Sequence, residues 1–347
     1  MTPPVWSWGA LDLQLIFSGK FPTIRGHDRR ICMTRLIRQL LPFASLVLIL
    51  VALSILSPHE FLTKDNFFNV FRRSSVNGII AVGATAIIIS GGIDLSVGSM
   101  LALAGMLGAW SMQKMGGDNL TQGVMLAGTL IGIMTGLVCG LANGVLITRL
   151  KLPPFIVTLG TMSIFRGIAY VMNDGQPYNV PTYSYLGNGE VLGISISVII
   201  AVVLMAIASL VLRYTPLGRY TYAIGSNREA AFHAGVKVER NLTAIYALAG
   251  LLVGIAAMIA TSRTVSAQPT AGLGLELDII AAVVIGGASL SGGRGTIIGT
   301  VVGTLMIGFL RNGCTLLRIS TNVQLIVIGM IIILAVTVDQ VARERAR

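Results

Sequence analysis

Charge is what this sequence has least of. Only 11% of its 347 residues are charged, 54% are hydrophobic, and the mean hydropathy is +0.81. Soluble domains carry about 25% charged residues, so a water-soluble globular protein is excluded and an all-α polytopic membrane protein is indicated. Cysteine is scarce: Cys32, Cys139 and Cys314 stand far apart and suggest neither a disulfide framework nor a metal site. The three histidines, His27, His59 and His233, all lie outside the apolar segments. Converging metal ligands are therefore not expected, and a serine in a span has no histidine base beside it. No Gly-x-x-x-x-Gly-Lys-Ser/Thr stretch occurs, so nothing here cradles nucleotide phosphates. Glycine, by contrast, is abundant at 41 residues, as close helix packing in a membrane requires.

What is present is a series of apolar segments with short breaks. They run over 41–57, 76–90, 97–112, 123–148, 155–172, 193–212, 242–261, 277–290, 296–312 and 322–338. This predicts about ten transmembrane helices. Spanning about 30 Å takes roughly 20 residues at 1.5 Å each, so the shorter segments must tilt, borrow flanking residues or be broken helices.

The net charge of +11 invites a nucleic-acid reading, but its distribution argues against one. With the N-terminus inside and ten alternating spans, Lys64, Arg72, Arg73, Lys114, Arg263, Arg311 and Arg318 fall outside. Arg166 lies within a span, and the other 17 of the 25 Lys/Arg fall inside. That is the positive-inside pattern, with both termini cytoplasmic. Arg72 and Arg73 fit it least well and suggest a short interfacial helix. The stretch 173–192 has no Lys or Arg and reads as a structured outer loop. Residues 1–32 differ from the rest of the chain and lack the apolar core of a signal peptide. They read as a disordered cytosolic arm or an extended start before Met33, leaving 33–347 as the membrane domain.

The longest strongly basic stretch between two spans is 213–241. Its middle, 226–236, predicts a short helix with Asn227 as cap, Glu229 at the positive end and Gly235 at the stop. A basic helix between membrane spans is a handle for a cytosolic partner; a merely solvated loop is the plainer alternative.

Two glycine breaks interrupt the apolar pattern. Ser90–Ser99 reads SGGIDLSVGS, where Gly91 and Gly92 weaken the helix, Asp94 brings a charge and Ser96 a hydroxyl. An ionised Asp at the bilayer centre costs about 2.5–3.5 kcal/mol. It therefore faces a cavity or partner, or caps a tight turn near the membrane edge. The alternative is a broken helix beside a transport path. Gly286, Gly287, Ser289 and Ser291 echo this block when Gly286 is laid on Gly91 and Ser289 on Asp94, which hints at an internal duplication. The adjoining Leu290–Arg294, LSGGR, resembles the signature motif of ABC-type ATPases. Without a nucleotide loop it is a chance match. Arg166 reads as a structural charge, snorkelling or paired with Asp94 or Asp174. Glu276 and Asp278 precede a span and read as solvated end charges or as contacts for a soluble partner.

Taken together, SGGIDLSVGS, GRYTYAIGSNREAAFHAGV (218–236) and SAQPTAGLGLELDIIAAVVIGGASLSGGRGTIIGT (266–300) resemble the ribose/xylose-type permeases of bacterial ABC importers. The resemblance covers the chain from about Met33. It implies an inner-membrane permease that does no covalent chemistry and holds no cofactor. Its ATP-Mg would be bound by cytosolic ATPase subunits, its sugar delivered by a periplasmic binding protein, and its partner in the bilayer would be a second copy or a related permease. It also implies a coupling helix of the pattern Glu-Ala-Ala-x-x-x-Gly, matched by Glu229, Ala230, Ala231 and Gly235, with Arg228 and Lys237 as basic flanks. Two other classes stay open on sequence alone: a gradient-driven sugar transporter or channel, and a membrane scaffold or receptor that transports nothing.

Overall fold

The computed structural model describes residues 43–117 and 119–344, so the reading of 1–32 lies outside the described residues. Among these residues the chain is helical, with four two-residue strands at its loops. In order, the helices are α1 (Phe43–Leu56), α2 (Pro58–Phe61), α3 (Lys64–Ile89), α4 (Val97–Gly116), α5 (Gln122–Arg149) and α6 (Pro154–Val171). After α7 (Tyr185–Asn188) come α8 (Ile196–Tyr214), α9 (Pro216–Ser226), α10 (Arg228–His233) and α11 (Val238–Thr264). The chain closes with α12 (Leu275–Ile285), α13 (Ile297–Leu316) and α14 (Thr321–Glu344). Several of the long helices begin where an apolar run meets a capping residue. Thr63, Thr121 and Thr296 accept the N–H of Asn66, Val124 and Gly299 and so fill one of the four unpaired donors at each start.

The centre is built on glycine. Gly128, Gly132, Gly136, Gly140 and Gly144 recur every fourth residue, so they share one face of α5. That face lies against Gly250 and Gly254 of α11. A Cβ at Gly136 would meet the Gly250 carbonyl, and one at Gly140 the Tyr246 carbonyl. Two backbones in contact gain dispersion along their whole length, which in lipid replaces the missing hydrophobic drive. Around this pair α3 from Ser74 onward and α4 as far as Met112 are mostly buried. The outward helices present apolar faces: α8 exposes Val202, Val203, Ile207 and Leu210, and α6 exposes Leu159, Ile164 and Ile168.

Every apolar segment of the sequence overlaps a helix, but among the described residues five helices are long and apolar enough to cross a membrane: α5, α6, α8, α11 and α13. Among the rest, α12 is the most informative. Its 11 residues reach about 16 Å, half of the hydrocarbon core. Before it, residues 265–274 run without helix. Gly272 packs on Gly98 at the start of α4, and Arg166 Nη1 donates to the carbonyls of Pro269 (2.6 Å) and Ala271 (2.7 Å). Arg166 therefore neither snorkels nor pairs with Asp94 or Asp174; it satisfies carbonyls that a helix would have bonded internally.

The reading of Asp278 as a solvated end charge is corrected, while Glu276 is half-buried. Asp278 is buried and accepts from Arg311 Nη2 at 2.7–2.8 Å, tying α12 to α13, while Glu276 lies beside Gly98. Arg72 and Arg73 sit on α3 itself rather than on a separate interfacial helix, and Arg72 pairs with Glu190 at 2.7 Å. The stretch 173–192 is indeed structured. Strand β1 (Tyr178–Asn179) pairs antiparallel with β4 (Ser266–Ala267), and β2 (Glu190–Val191) with β3 (Ile194–Ser195). Burial pushes the Tyr183 phenol up to about 12 against the opposing effect of its 2.8 Å bond to Thr129, so it stays neutral at physiological pH.

Candidate functional site

The basic stretch folds into two helices that turn back toward the bundle. In α9, Thr215 caps the start and accepts from Gly218 N–H. The helix is anchored by buried Thr221 and Ile224, and Tyr222 donates its hydroxyl to the Gly295 carbonyl at 2.8 Å. Helix α10 follows at once. Asn227 Oδ1 accepts from Ala230 N–H at 2.9 Å, Glu229 occupies the positive first turn, and the chain turns away at Gly235 with φ +83°. The N–H of Gly235 bonds Phe232 O and that of Val236 bonds Ala231 O, which closes the end of a six-residue helix. Such a short helix is not stable alone. Ala231 holds it, being 5% exposed in a small core with Ile87, Ile147, Ile224 and Tyr246. Arg228, Glu229, Ala230, Phe232, Gly235 and Lys237 all remain on the surface. Several of them line an open groove of about 830 Å³ that continues along Glu239 and Arg240. Phe232, 65% exposed, is the aromatic that the spacing of Glu, Ala and Gly did not single out.

The two glycine breaks are both helix ends, with the same hydrogen bonds. At the end of α3, Gly91 N–H bonds Ile88 O and Gly92 N–H bonds Ile87 O; at the end of α12, Gly287 N–H bonds Val284 O and Ala288 N–H bonds Val283 O. Gly91 (φ +84°) and Gly287 (φ +92°) hold the left-handed position, and both are exposed. Backbone geometry thus sets Gly91 opposite Gly287, one residue away from the sequence overlay, so Asp94 stands opposite Leu290 and not Ser289.

The structure brings the two turns together. Gly293 N–H donates to Ile89 O at 2.8 Å, and Gly292 lies against Gly225 and Gly91. Gly225, one turn before α10, has no room for a Cβ: it would overlap the Ile89 carbonyl and crowd Gly293 N. The end of α9, the end of α3 and the loop after α12 therefore meet backbone to backbone. Sequence could have shown the glycines but not which of them touch.

The polar residues of the turns stay apart from this contact. Asp94 is buried, and its Oδ1 accepts from both Ser96 N–H (2.8 Å) and Ser96 Oγ–H (2.6 Å). Asn143 on α5 donates to Ser96 Oγ at 2.8 Å. Asp94 thus closes a tight turn through Ser96, reinforced by a residue that its own segment does not contain. In the second turn Gly286 packs on Gly299, Ser289 is buried with its N–H on Arg294 O, and Ser291 is exposed.

A bundle with glycine-broken helices, no nucleotide loop and an exposed, capped basic helix has the form of a membrane permease. The family described as "Branched-chain amino acid transport system / permease component" matches residues 66–336, and the chain belongs to it. Within the curated proteins it is 45% identical to the ribose import permease protein RbsC of Bacillus subtilis over 92% of this chain and 98% of that one. It is 37% identical to the D-allose transport system permease protein AlsC of Escherichia coli K12, over 86% and 90%. It is also 34% identical to the fructose import permease protein FrcC of Rhizobium meliloti, over 88% and 86%. No solved structure matches.

Proposed function

We propose that this chain is the membrane-spanning permease subunit of an ATP-driven importer in the bacterial inner membrane, moving a monosaccharide such as ribose. The observation that carries the coupling is α10: a short helix, capped at both ends, held to the bundle by one buried alanine and otherwise presented to the surface. Its relatives are import permeases named for ribose, allose and fructose, which supports a monosaccharide cargo. In this reading cytosolic ABC ATPase subunits bind ATP-Mg and seat α10, the basic flanks Arg228 and Lys237 meeting acids on the partner. A periplasmic binding protein delivers the sugar. The chain crosses the membrane about ten times with both ends inside, pairs with a second permease, and itself holds no cofactor. The glycine turns around Gly91, Gly92, Asp94, Ser96, Gly286, Gly287, Ser289 and Ser291 lie along the moving path, and their shared geometry supports an internal duplication.

The mechanism is mechanical. A push on α10 reaches Gly225 within one turn of helix, and from there the backbone of α3 and the loop after α12. Close-packed backbone has little compliance, so the displacement is transmitted rather than absorbed.

Gly235→Leu tests the coupling. A left-handed leucine costs roughly 1–2 kcal/mol, enough to re-aim α10 without unfolding the bundle. In reconstituted importer, sugar uptake should fall at least about tenfold while membrane insertion stays normal and ATP hydrolysis continues. Unchanged uptake refutes the role of α10. Uptake by the purified chain alone, driven by an ion gradient and indifferent to ATP, refutes the ATP-driven class.

A further inference from the structure

A chamber of about 300 Å³ lies between the middle of α3, the first half of α4, the last turns of α11 and the non-helical descent before α12. Nothing in the proposed coupling uses it. Its lining carries polar side chains of graded exposure: Thr261 is buried, Asn77 and Arg263 are half-buried, and Gln268 is exposed. Asn77, Thr261 and Gln268 bring two amides and a hydroxyl to it, and none of these side chains bonds to another described residue. Arg263 also lines it, with Nη1 buried and without a partner. Opposite them stand Val76 and Leu101. Donors and acceptors left open at a buried site, as at Thr261 and Arg263 Nη1, are costly unless something occupies the space beside them. Water fills some such spaces, but this one has the volume of a small ligand pocket.

The donor set defines the class of occupant. No carboxylate lines the chamber, so it is not built for a cation or an ammonium group. The amides and the hydroxyl offer both donors and acceptors, the guanidinium offers donors, and apolar side chains offer a face for C–H groups. An uncharged ring bearing several hydroxyls uses all of these at once. The volume suits one sugar ring rather than two. Asn77 stands at the midpoint of α3, and the descending loop that carries Gln268 is held in place by Arg166.

We propose that this chamber is where the permease itself contacts a monosaccharide, with Asn77, Thr261, Arg263 and Gln268 bonding the ring hydroxyls. This rests on the import reading above and adds to it: the permease reads the sugar on its own account, after the binding protein has released it.

The test uses the full importer, reconstituted with its ATPase and binding protein, with radiolabelled D-ribose, D-allose and D-fructose as probes. Loss of one hydrogen bond to the sugar corresponds to about tenfold. N77L and Q268L should each lower uptake by about that factor, while ATP hydrolysis stimulated by the loaded binding protein stays within about twofold of the parent. Should N77L fail to fold, N77C read by a membrane-impermeant maleimide serves instead. Labelling should be slowed by the transported sugar and not by L-leucine. Uptake unchanged in both leucine variants, labelling indifferent to every sugar, or protection by L-leucine overturns the chamber while leaving the import reading intact. A parent importer that moves none of the three sugars overturns the import reading itself.

Discussion

The turns at the ends of α3 and α12 share a backbone and differ in everything attached to it. Each closes its helix with the same pair of hydrogen bonds, and each places an exposed left-handed glycine at the same step. The first then directs its polar residues inward, with Asp94 on Ser96 and Ser96 on Asn143. The second continues into a longer, glycine-rich loop whose backbone reaches across to the end of α3 and the end of α9. Both turns reach the end of α9 through main chain, with Ile89 O and Gly293 N against Gly225, and the first is locked by side chains as well.

The largest effect is expected where the two turns and α9 meet. Gly225→Leu puts a side chain where the Ile89 carbonyl and Gly293 already stand, and backbone cannot give way as a side chain can. A loss of about 3 kcal/mol or more is expected. It should appear as a melting point in detergent well below that of the parent, with transport abolished. Near-parental melting would show that the turns do not bear on α9.

A smaller effect separates the turns from one another. Asp94→Leu leaves Ser96 N–H and Oγ–H without their acceptor in a buried site and should cost about 2–3 kcal/mol. Leu290→Ala, at the backbone counterpart, removes only half-buried apolar area and should cost about 1 kcal/mol. Equal losses would show that Asp94 does not lock its turn. The smallest effect concerns the geometry common to both turns. Gly91→Ala and Gly287→Ala meet no neighbour within 4 Å, so each adds only the strain of a left-handed alanine, about 1 kcal/mol. Matching shifts in melting temperature are expected. A clear inequality would break the equivalence and favour the overlay of Gly286 on Gly91.

Much of this molecule is legible in its sequence, for identifiable reasons. Long apolar runs, the scarcity of charge and the placement of Lys/Arg are properties of the chain read a window at a time. So is α10, whose cap at Asn227 and stop at Gly235 are set by neighbours a few residues away. The glycines of α5 are visible at their spacing of four, yet which helix they meet is not. Asn143, Tyr246 and Gly225 carry no local signal, because their importance comes from residues far along the chain.

The sequence by itself determined the class of protein, the position of its helices and the caps that start and stop them, since these depend on composition and on contacts within a turn or two. Only the tertiary structure decided that Asp278 is an interior ion-pair partner of Arg311, that Arg166 serves carbonyls of a descending loop, and that Gly91 matches Gly287. It alone placed Asn77 and Gln268 around one chamber and three chain segments around Gly225. Those outcomes depend on which distant surfaces meet, and no short window of sequence records that.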